Sequence, residues 1–159
     1  MNSKTTWRGR LHKHSQDLSL FLLRLWLGQE FLYAASQKWL LGLQPPDWFA
    51  QLDFPWPLTW LTPSLNWLAA GVGELVFGLA LVAGVFTRTS AMALLFITWV
   101  AVYTVHFDLG WAGWRQIETE QGNGFKVPLM IGLMLLALVA QGAGRWSITA
   151  VFHRHRNRW

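Results

Sequence analysis

Cysteine is absent from this 159-residue chain, which excludes disulfide bonds, thiol catalysis and thiolate metal sites. Charged residues are scarce too, at 13% of the chain against about a quarter in soluble proteins. The sequence has no phosphate-binding loop, nucleophile elbow, zinc-protease motif or dinucleotide fingerprint. Its apolar segments also lack histidine pairs at matching depth, which haem ligation between helices would require. These absences leave no residue with an assigned catalytic role, and whether the chain is an enzyme stays open.

Apolar and aromatic residues dominate instead. They make up 53% of the chain, gathered in blocks, and there are 12 tryptophans. Tryptophan prefers the headgroup level of a bilayer, where its ring is buried and its N–H stays hydrated. The net charge of +5 comes from basic tails that flank the apolar blocks. This pattern favours anionic lipid headgroups as the counterpart rather than nucleic acid.

The apolar blocks predict four membrane-spanning helices, at about residues 18–38, 65–86, 89–106 and 126–141. The first block contains Arg24 and Glu30, and a cleaved signal peptide is its rival interpretation. Its length, its two charges and the three later blocks favour a retained helix. We therefore expect an all-α fold, a polytopic membrane four-helix bundle that forms one domain over residues 1–159.

Lysine and arginine counts on alternate sides of the predicted spans indicate the orientation. One side carries nine of them: Lys4, Arg8, Arg10, Lys13, Arg88, Arg145, Arg154, Arg156 and Arg158. The other side carries three: Lys38, Arg115 and Lys126. This asymmetry places the basic tails 1–17 and 142–159 in the cytoplasm. A bacterial inner membrane with both termini inside is the expected location.

The connections between the spans also have distinct patterns. Only Phe86–Thr89 separates the second and third spans, which predicts an antiparallel helical hairpin. The 40–64 loop is rich in proline and tryptophan, typical of short helices and turns lying on the membrane surface. In the C-terminal tail, Ile148, Val151 and Phe152 share one helical face, which predicts an amphipathic helix at the inner surface.

The first and second spans contain ionisable residues, and such residues usually face the interior of a bundle and pair there. Arg24, Gly28, Phe31, Ala35 and Lys38 recur on one face of the first helix. On the second helix the shared face is formed by Gly71, Glu74, Gly78 and Leu81, with Gly84 near its end. Small residues beside an acid let a neighbouring helix approach closely.

These faces predict a polar column through the bundle, open toward the outside, with Glu30 near the height of Glu74. Arg24 and Lys38 are the candidate partners of Glu74. Three interpretations stay open: charges that only neutralise one another, a ligand site around Glu74, and a proton relay.

Histidines raise the question of a metal site. His106 and Asp108 lie at the outer interface, where no second histidine is available to complete a metal site. A hydrogen-bonding or protonatable interfacial histidine is the favoured interpretation. The tails contain His12-Lys-His14 and His153-Arg-His155, which could hold copper or zinc between them. The interleaved cations argue against this, and we expect no metal.

In this order, these residues resemble the DoxX family of small four-helix membrane proteins, over about residues 18–148. Its first helix carries Arg, Gly and Lys, as Arg24, Gly28 and Lys38 do. Its second helix has the pattern Gly-x-x-Glu-Leu-x-x-Gly, followed by Leu-x-x-Gly-x-x-Thr-Arg, which is matched by residues 71–88. A Gly-x-Gly-x-x-Ser segment matches residues 142–147. The chain departs from the family at Ala35, often a glycine, and at residues 148–149, where an aspartate is usual.

The resemblance implies a subunit associated with membrane redox or with metal and oxidative-stress complexes. The outer loop around His106 is similar to that of the HvfX-like branch. A quinone or another lipid-soluble ligand could bind near Glu74 and Arg24, with Trp26, Phe31, Trp99 and Tyr103 lining the apolar part. The alternatives are a non-catalytic scaffold for an exported peptide or another membrane protein, and a small proton or substrate transporter. Homo-oligomerisation is also open.

Overall fold

A computed structural model describes residues 3–150, with side chains described from Ser15 onward. Five α-helices follow the chain: α1 Ser3–Leu41, α2 Asp47–Ala50, α3 Pro63–Ala83, α4 Thr87–Val105 and α5 Lys126–Gln141. Short 3-10 turns cover Leu58–Trp60 and Gly110–Arg115, and the strands β1 Glu118–Thr119 and β2 Gly122–Asn123 form a small antiparallel hairpin. The protein is therefore mostly helical, as predicted.

Local chemistry sets the ends of α3 and the start of α4. The Thr62 hydroxyl accepts a hydrogen bond from the Leu65 amide at 3.4 Å, and Pro63 occupies the first turn. Gly84 ends α3 in the left-handed conformation at φ 71°. Phe86, also left-handed at φ 46°, then leads directly into α4. The resulting turn is only three residues long and forces α3 and α4 to run antiparallel.

The four long helices pack in a ring, with α1 and α4 each contacting both α3 and α5. Their core is a cluster of leucines from all four helices, with Leu27, Leu81, Leu94, Leu135 and Leu138 fully buried. The short helix α2 packs onto α3, and the 3-10 turn Gly110–Arg115 packs onto α5. We call the end of the ring that carries these two elements the α2 end, and the opposite end the Arg88 end.

Within residues 3–150, two helices are both long and apolar enough to cross a bilayer, α3 and α4. Helix α5 is apolar but has only 16 residues, and α1 carries ionisable and polar side chains along its length. The coarser prediction, a mostly helical fold with apolar helices able to cross a membrane, is thus confirmed. The four spans and the cytoplasmic termini stay predictions.

Two predicted boundaries need adjustment. Helix α1 begins at Ser3, so it extends before the span predicted at about residues 18–38, because the intervening sequence has no proline and only Gly9 as a weak helix breaker. Thr87 and Arg88 belong to the first turn of α4 instead of the connecting turn. The surface elements predicted in the 40–64 loop are present as α2 and the first 3-10 turn.

Parts of the tails lie beyond the described residues. Val151, Phe152 and the pair His153 and His155 fall outside them, and so do the side chains of His12 and His14. The predicted amphipathic helix and the possible metal site between the tails therefore stay predictions.

Candidate functional site

Helices α1 and α3 approach closely because glycines face each other across their interface. A Cβ atom on Gly28 would lie 3.0 Å from the Gly78 carbonyl oxygen and 2.5 Å from Val82 Cγ2. A Cβ atom on Gly78 would lie 3.3 Å from the Gly28 carbonyl oxygen. Gly71 lies against the side chains of Lys38 and Trp39. Small residues in these places bring the two backbones together and set the register of the charged residues beside them.

That register places Lys38 of α1 directly against Glu74 of α3. The ammonium donates to both carboxylate oxygens, with Nζ 2.9 Å from Oε1 and 2.9 Å from Oε2. The Glu74 side chain is 7% exposed and that of Lys38 is 22% exposed. A buried carboxylate is costly unless a cation or hydrogen-bond donors satisfy it, and Lys38 does so here. Nζ also lies 5.8 Å from the centre of the Trp67 ring.

The ion pair borders a large cleft between α1, α3 and α4 at the α2 end, which we call the Glu74 cleft. Its volume is about 530 Å³, within the usual range for small-molecule sites. Most of its lining is apolar, and its polar side chains are Gln37, Lys38, Asn66, Glu74, Thr104 and His106. Small residues on α3 open the space beside α4, namely Ala69, Ala70 and Gly73.

Aromatic residues close the α2 end of this cleft. Phe49 of α2 is buried and packs edge-to-face on Trp67, with ring centres 4.8 Å apart, and Trp48 and Phe54 extend the cluster. Two hydrogen bonds hold the surrounding loop to α3. The Trp67 Nε1–H donates to the Gly42 carbonyl at 3.1 Å, and Asn66 Nδ2 donates to the Leu58 carbonyl at 3.1 Å.

His106 lies one residue beyond α4, where it lines the mouth of the cleft. Its Nδ1 atom is buried without a partner among the described residues. Burial lowers the pKa of His106, and the charge of Asp108 opposes this only in part. Asp108 accepts a hydrogen bond from the Asn123 amide at 3.0 Å, which ties the β-hairpin to this end of α4.

Arg24 lies in a different cluster, at the Arg88 end of the ring. It is fully buried, and its Nη2 donates to the Trp146 carbonyl in the segment after α5. A Cβ atom on Gly84 would overlap Arg24 Nη1, so this glycine makes room for the guanidinium. Asp17 accepts a hydrogen bond from the Arg145 amide at 2.9 Å. Arg24 and Asp17 together fix the Gly-x-Gly-x-x-Ser segment to α1.

Of the other residues proposed from the sequence, none lies in the Glu74 cleft. Gln29 Nε2 donates to Glu30 at 2.9 Å on the outer side of α1. Trp26, Trp99 and Tyr103 are exposed on the surface of the ring, whereas Phe31 is part of the core. The structure thus brings together Lys38, Glu74 and His106, and it separates them from Arg24, Glu30 and Tyr103.

Comparison with known proteins identifies the family. The DoxX family model matches residues 19–107. The chain belongs to the DoxX family. It is also similar to a protein described as uncharacterized from Haemophilus influenzae, at 34% identity over 139 residues, 86% of this chain and 85% of that protein. No solved structure matches the chain.

The DoxX match extends from α1 through α4, so it includes the ion pair, the glycine interface and His106. Sequence analysis missed Asn66, Trp67 and the cap formed by Phe49. Asn66 and Trp67 lie eight and seven residues before Glu74, on the same helical face, which is the signal that could have indicated them. Between residues 15 and 150, no three His, Asp or Glu side chains come together as a metal site would need.

Proposed function

We propose that this DoxX protein is a four-span inner-membrane protein, with cytoplasmic termini, that binds a lipid-soluble ligand in the Glu74 cleft. The observation that carries the proposal is the cleft itself: a space of about 530 Å³, mostly apolar, with an ion pair at its wall. An apolar lining with a few convergent polar groups is typical of small-molecule sites.

The four spans are supported by the packing of the ring. Helices α1 and α5 pack against α3 and α4, the two helices long and apolar enough to cross a membrane. The side chains of α5 exposed on the ring between its first and last turns are apolar, as hydrocarbon requires. The excess of lysine and arginine in the two tails and at Arg88 supports cytoplasmic termini, and in that orientation the Glu74 cleft would open on the outer side.

The polar groups favour a ligand with a hydrogen-bond acceptor. Lysine has three N–H donors, and Glu74 takes two of those of Lys38. The third is available to a carbonyl oxygen, and Phe77, Phe96 and Ile97 offer apolar contact to the rest of the molecule. A quinone combines a carbonyl head with an apolar tail, so it fits this pattern. Binding of a quinone would account for a role as a non-catalytic subunit of a membrane redox complex.

Quinone binding can be measured with the protein in lipid nanodiscs. Quinones quench tryptophan fluorescence, and Trp48 and Trp67 line the cleft. We expect saturable quenching by a short-chain quinone, above the unsaturable quenching of the exposed tryptophans. Lys38→Met should raise the Kd about tenfold, since it removes one hydrogen bond from a charged donor. Glu30→Gln, outside the cleft, is the matched control. An equal Kd in wild type, Lys38→Met and Glu30→Gln would refute the site.

The outer loops support a scaffold as the second candidate function. Trp56, Trp60 and Trp111 are 71%, 78% and 80% exposed at the α2 end. Such residues suit an exported peptide or a partner membrane protein, and they also suit lipid headgroups. Replacing all three by serine should abolish a protein partnership while leaving quinone binding intact.

The transporter interpretation has less support. Arg24 and the Lys38–Glu74 pair lie in separate clusters, and the close contact of Gly28 with Gly78 lies between them along α1 and α3. A continuous polar path would need these helices to move apart.

A further inference from the structure

The outward face of α1 differs from the outward faces of the other long helices. On α3, α4 and α5, the exposed residues between the first and last turns are all apolar or aromatic. On α1, a stripe of exposed residues instead includes both polar and apolar side chains: Ser15, Ser19, Leu22, Trp26, Gln29, Tyr33, Ser36 and Leu40. We call these eight residues the α1 stripe. On a helix face that contacts only lipid, an amide side chain at the middle of the membrane would lack hydrogen-bond partners.

Gln29 is the residue that hydrocarbon alone would leave unsatisfied. Its Nε2 donates one hydrogen bond to Glu30 Oε1, at 2.9 Å. The second N–H and the Oε1 atom have no partner among the described residues. The hydroxyls of Ser19 and Ser36 differ, because each donates to a carbonyl of α1 itself, at 2.8 and 2.7 Å.

The spacing along the stripe is that of a helix-packing seam. Successive members are four and three residues apart in strict alternation, which is the heptad pattern of paired helices. At 1.5 Å rise per residue the stripe is about 38 Å long, enough to cross the hydrocarbon core. Leu22, Trp26 and Tyr33 are 54%, 58% and 64% exposed, so more than half of each side chain is free to contact another helix.

A groove lies beside the stripe on the same side of the molecule. It is lined by Ser19, Leu22, Trp26 and Gln29 of α1, with Val82 of α3 and Met134 of α5. The groove leaves room for the same helix of a second copy to pack along the stripe, on a two-fold axis that runs through the stripe.

We propose that the α1 stripe is the interface with a second copy of this chain, packed in parallel around Gln29. Two copies in one membrane share the same orientation, so each stripe residue meets its own equivalent. A primary amide carries donor and acceptor together, so two Gln29 side chains form reciprocal hydrogen bonds. The proposal rests on the proposed spanning of α1, not on the ligand.

Disulfide trapping tests the interface directly, since the chain has no cysteine of its own. Leu22→Cys, Trp26→Cys and Tyr33→Cys should each give disulfide-linked dimers when membranes are treated with a permeant oxidant. Leu68→Cys on α3 and Leu133→Cys on α5, both exposed on other faces, are the controls and should stay monomeric. Dimers of equal yield at the controls, or none at the stripe positions, would overturn the proposal.

The strength of the pairing is tested at Gln29. Gln29→Leu keeps an apolar helix and removes the reciprocal bonds, so the dimer dissociation constant in liposomes should rise about tenfold. Ser36→Ala, whose hydroxyl bonds its own helix, should change it less than threefold. An unchanged constant in Gln29→Leu would count against the proposal. A membrane-impermeant maleimide applied to Gln29→Cys distinguishes a failure of the proposed span from a failure of the proposed interface. Rapid labelling would show that α1 does not span the membrane. No labelling together with no dimers would show that α1 spans but that the stripe is not an interface.

Discussion

Lys38 and Glu74 are joined by two hydrogen bonds of 2.9 Å, and this pair connects the last turns of α1 to the middle of α3. The pair depends on the glycines of the same interface, since Gly71 and Gly78 let α1 approach α3. It also defines the wall of the Glu74 cleft. One contact between two helices therefore satisfies a buried carboxylate, and in the proposed site it also leaves one lysine N–H for the ligand.

The first prediction concerns the stability of the ion pair. Lys38→Met leaves the buried Glu74 carboxylate without its cation and should destabilise the fold by about 3 kcal/mol. The double variant Lys38→Met/Glu74→Gln should recover more than half of that loss, because it removes the uncompensated charge. Thermal unfolding in detergent measures both. If the double variant were less stable than Lys38→Met alone, the pair would not be the reason for the loss.

The second prediction concerns the contact between α1 and α3. Gly28→Ala places a methyl group 2.5 Å from Val82 Cγ2 and 3.0 Å from the Gly78 carbonyl, so the helices must move apart. Overpacking of this kind costs about 1–3 kcal/mol. Gly132→Ala on α5 is the matched control, because its nearest neighbour would be Leu95 Cδ1 at an ordinary 3.6 Å. Chemical denaturation should show a loss for Gly28→Ala and none for Gly132→Ala.

Much of this fold was predictable from the sequence, for identifiable reasons. The helical spacing of Gly28 and Lys38 on α1, and of Gly71 and Glu74 on α3, predicted the faces along which these helices pack. Helix α5 covers residues 126–141, the range predicted for the fourth span. The position of Glu30 was less predictable, since its height along α1 does not determine which side of the helix it faces. It lies one residue before the buried Phe31 and pairs with Gln29 on the outer side.

The parts that sequence analysis missed depend on long-range geometry. Phe49 reaches Trp67 only because α2 folds back onto α3, and no local pattern encodes that contact. The strands of the small hairpin are two residues each, too short for alternation to indicate them. Arg24 lies on the predicted helical face, but its partner is the Trp146 carbonyl, 122 residues away, which local spacing does not indicate.

The third prediction concerns the segment that follows α5. Arg24→Gln shortens the side chain that bonds the Trp146 carbonyl, so the segment around Arg145 should detach from α1. Arg145 would then become a preferred site for trypsin, and we expect cleavage there to be at least fivefold faster. Arg115→Gln, at the other end of the ring, is the control and should leave this cleavage unchanged. Cleavage at Arg145 that is unchanged or slower in Arg24→Gln would contradict the assignment.

The fourth prediction concerns pH and His106. Burial holds the pKa of the folded His106 below its ordinary value of about 6.5, so the unfolded chain binds a proton more readily than the folded one. The contribution of His106 to the free energy of unfolding is therefore complete above about pH 6.5, and it is lost as the pH falls below that value. Thermal unfolding midpoints between pH 8 and pH 5.5 should decline more steeply in wild type than in His106→Gln. Since the charge of Asp108 raises the pKa of His106, the unfolding midpoint of Asp108→Asn should decline with falling pH more steeply than that of the wild type. Parallel curves for wild type and His106→Gln would show that the acid sensitivity lies elsewhere in the chain.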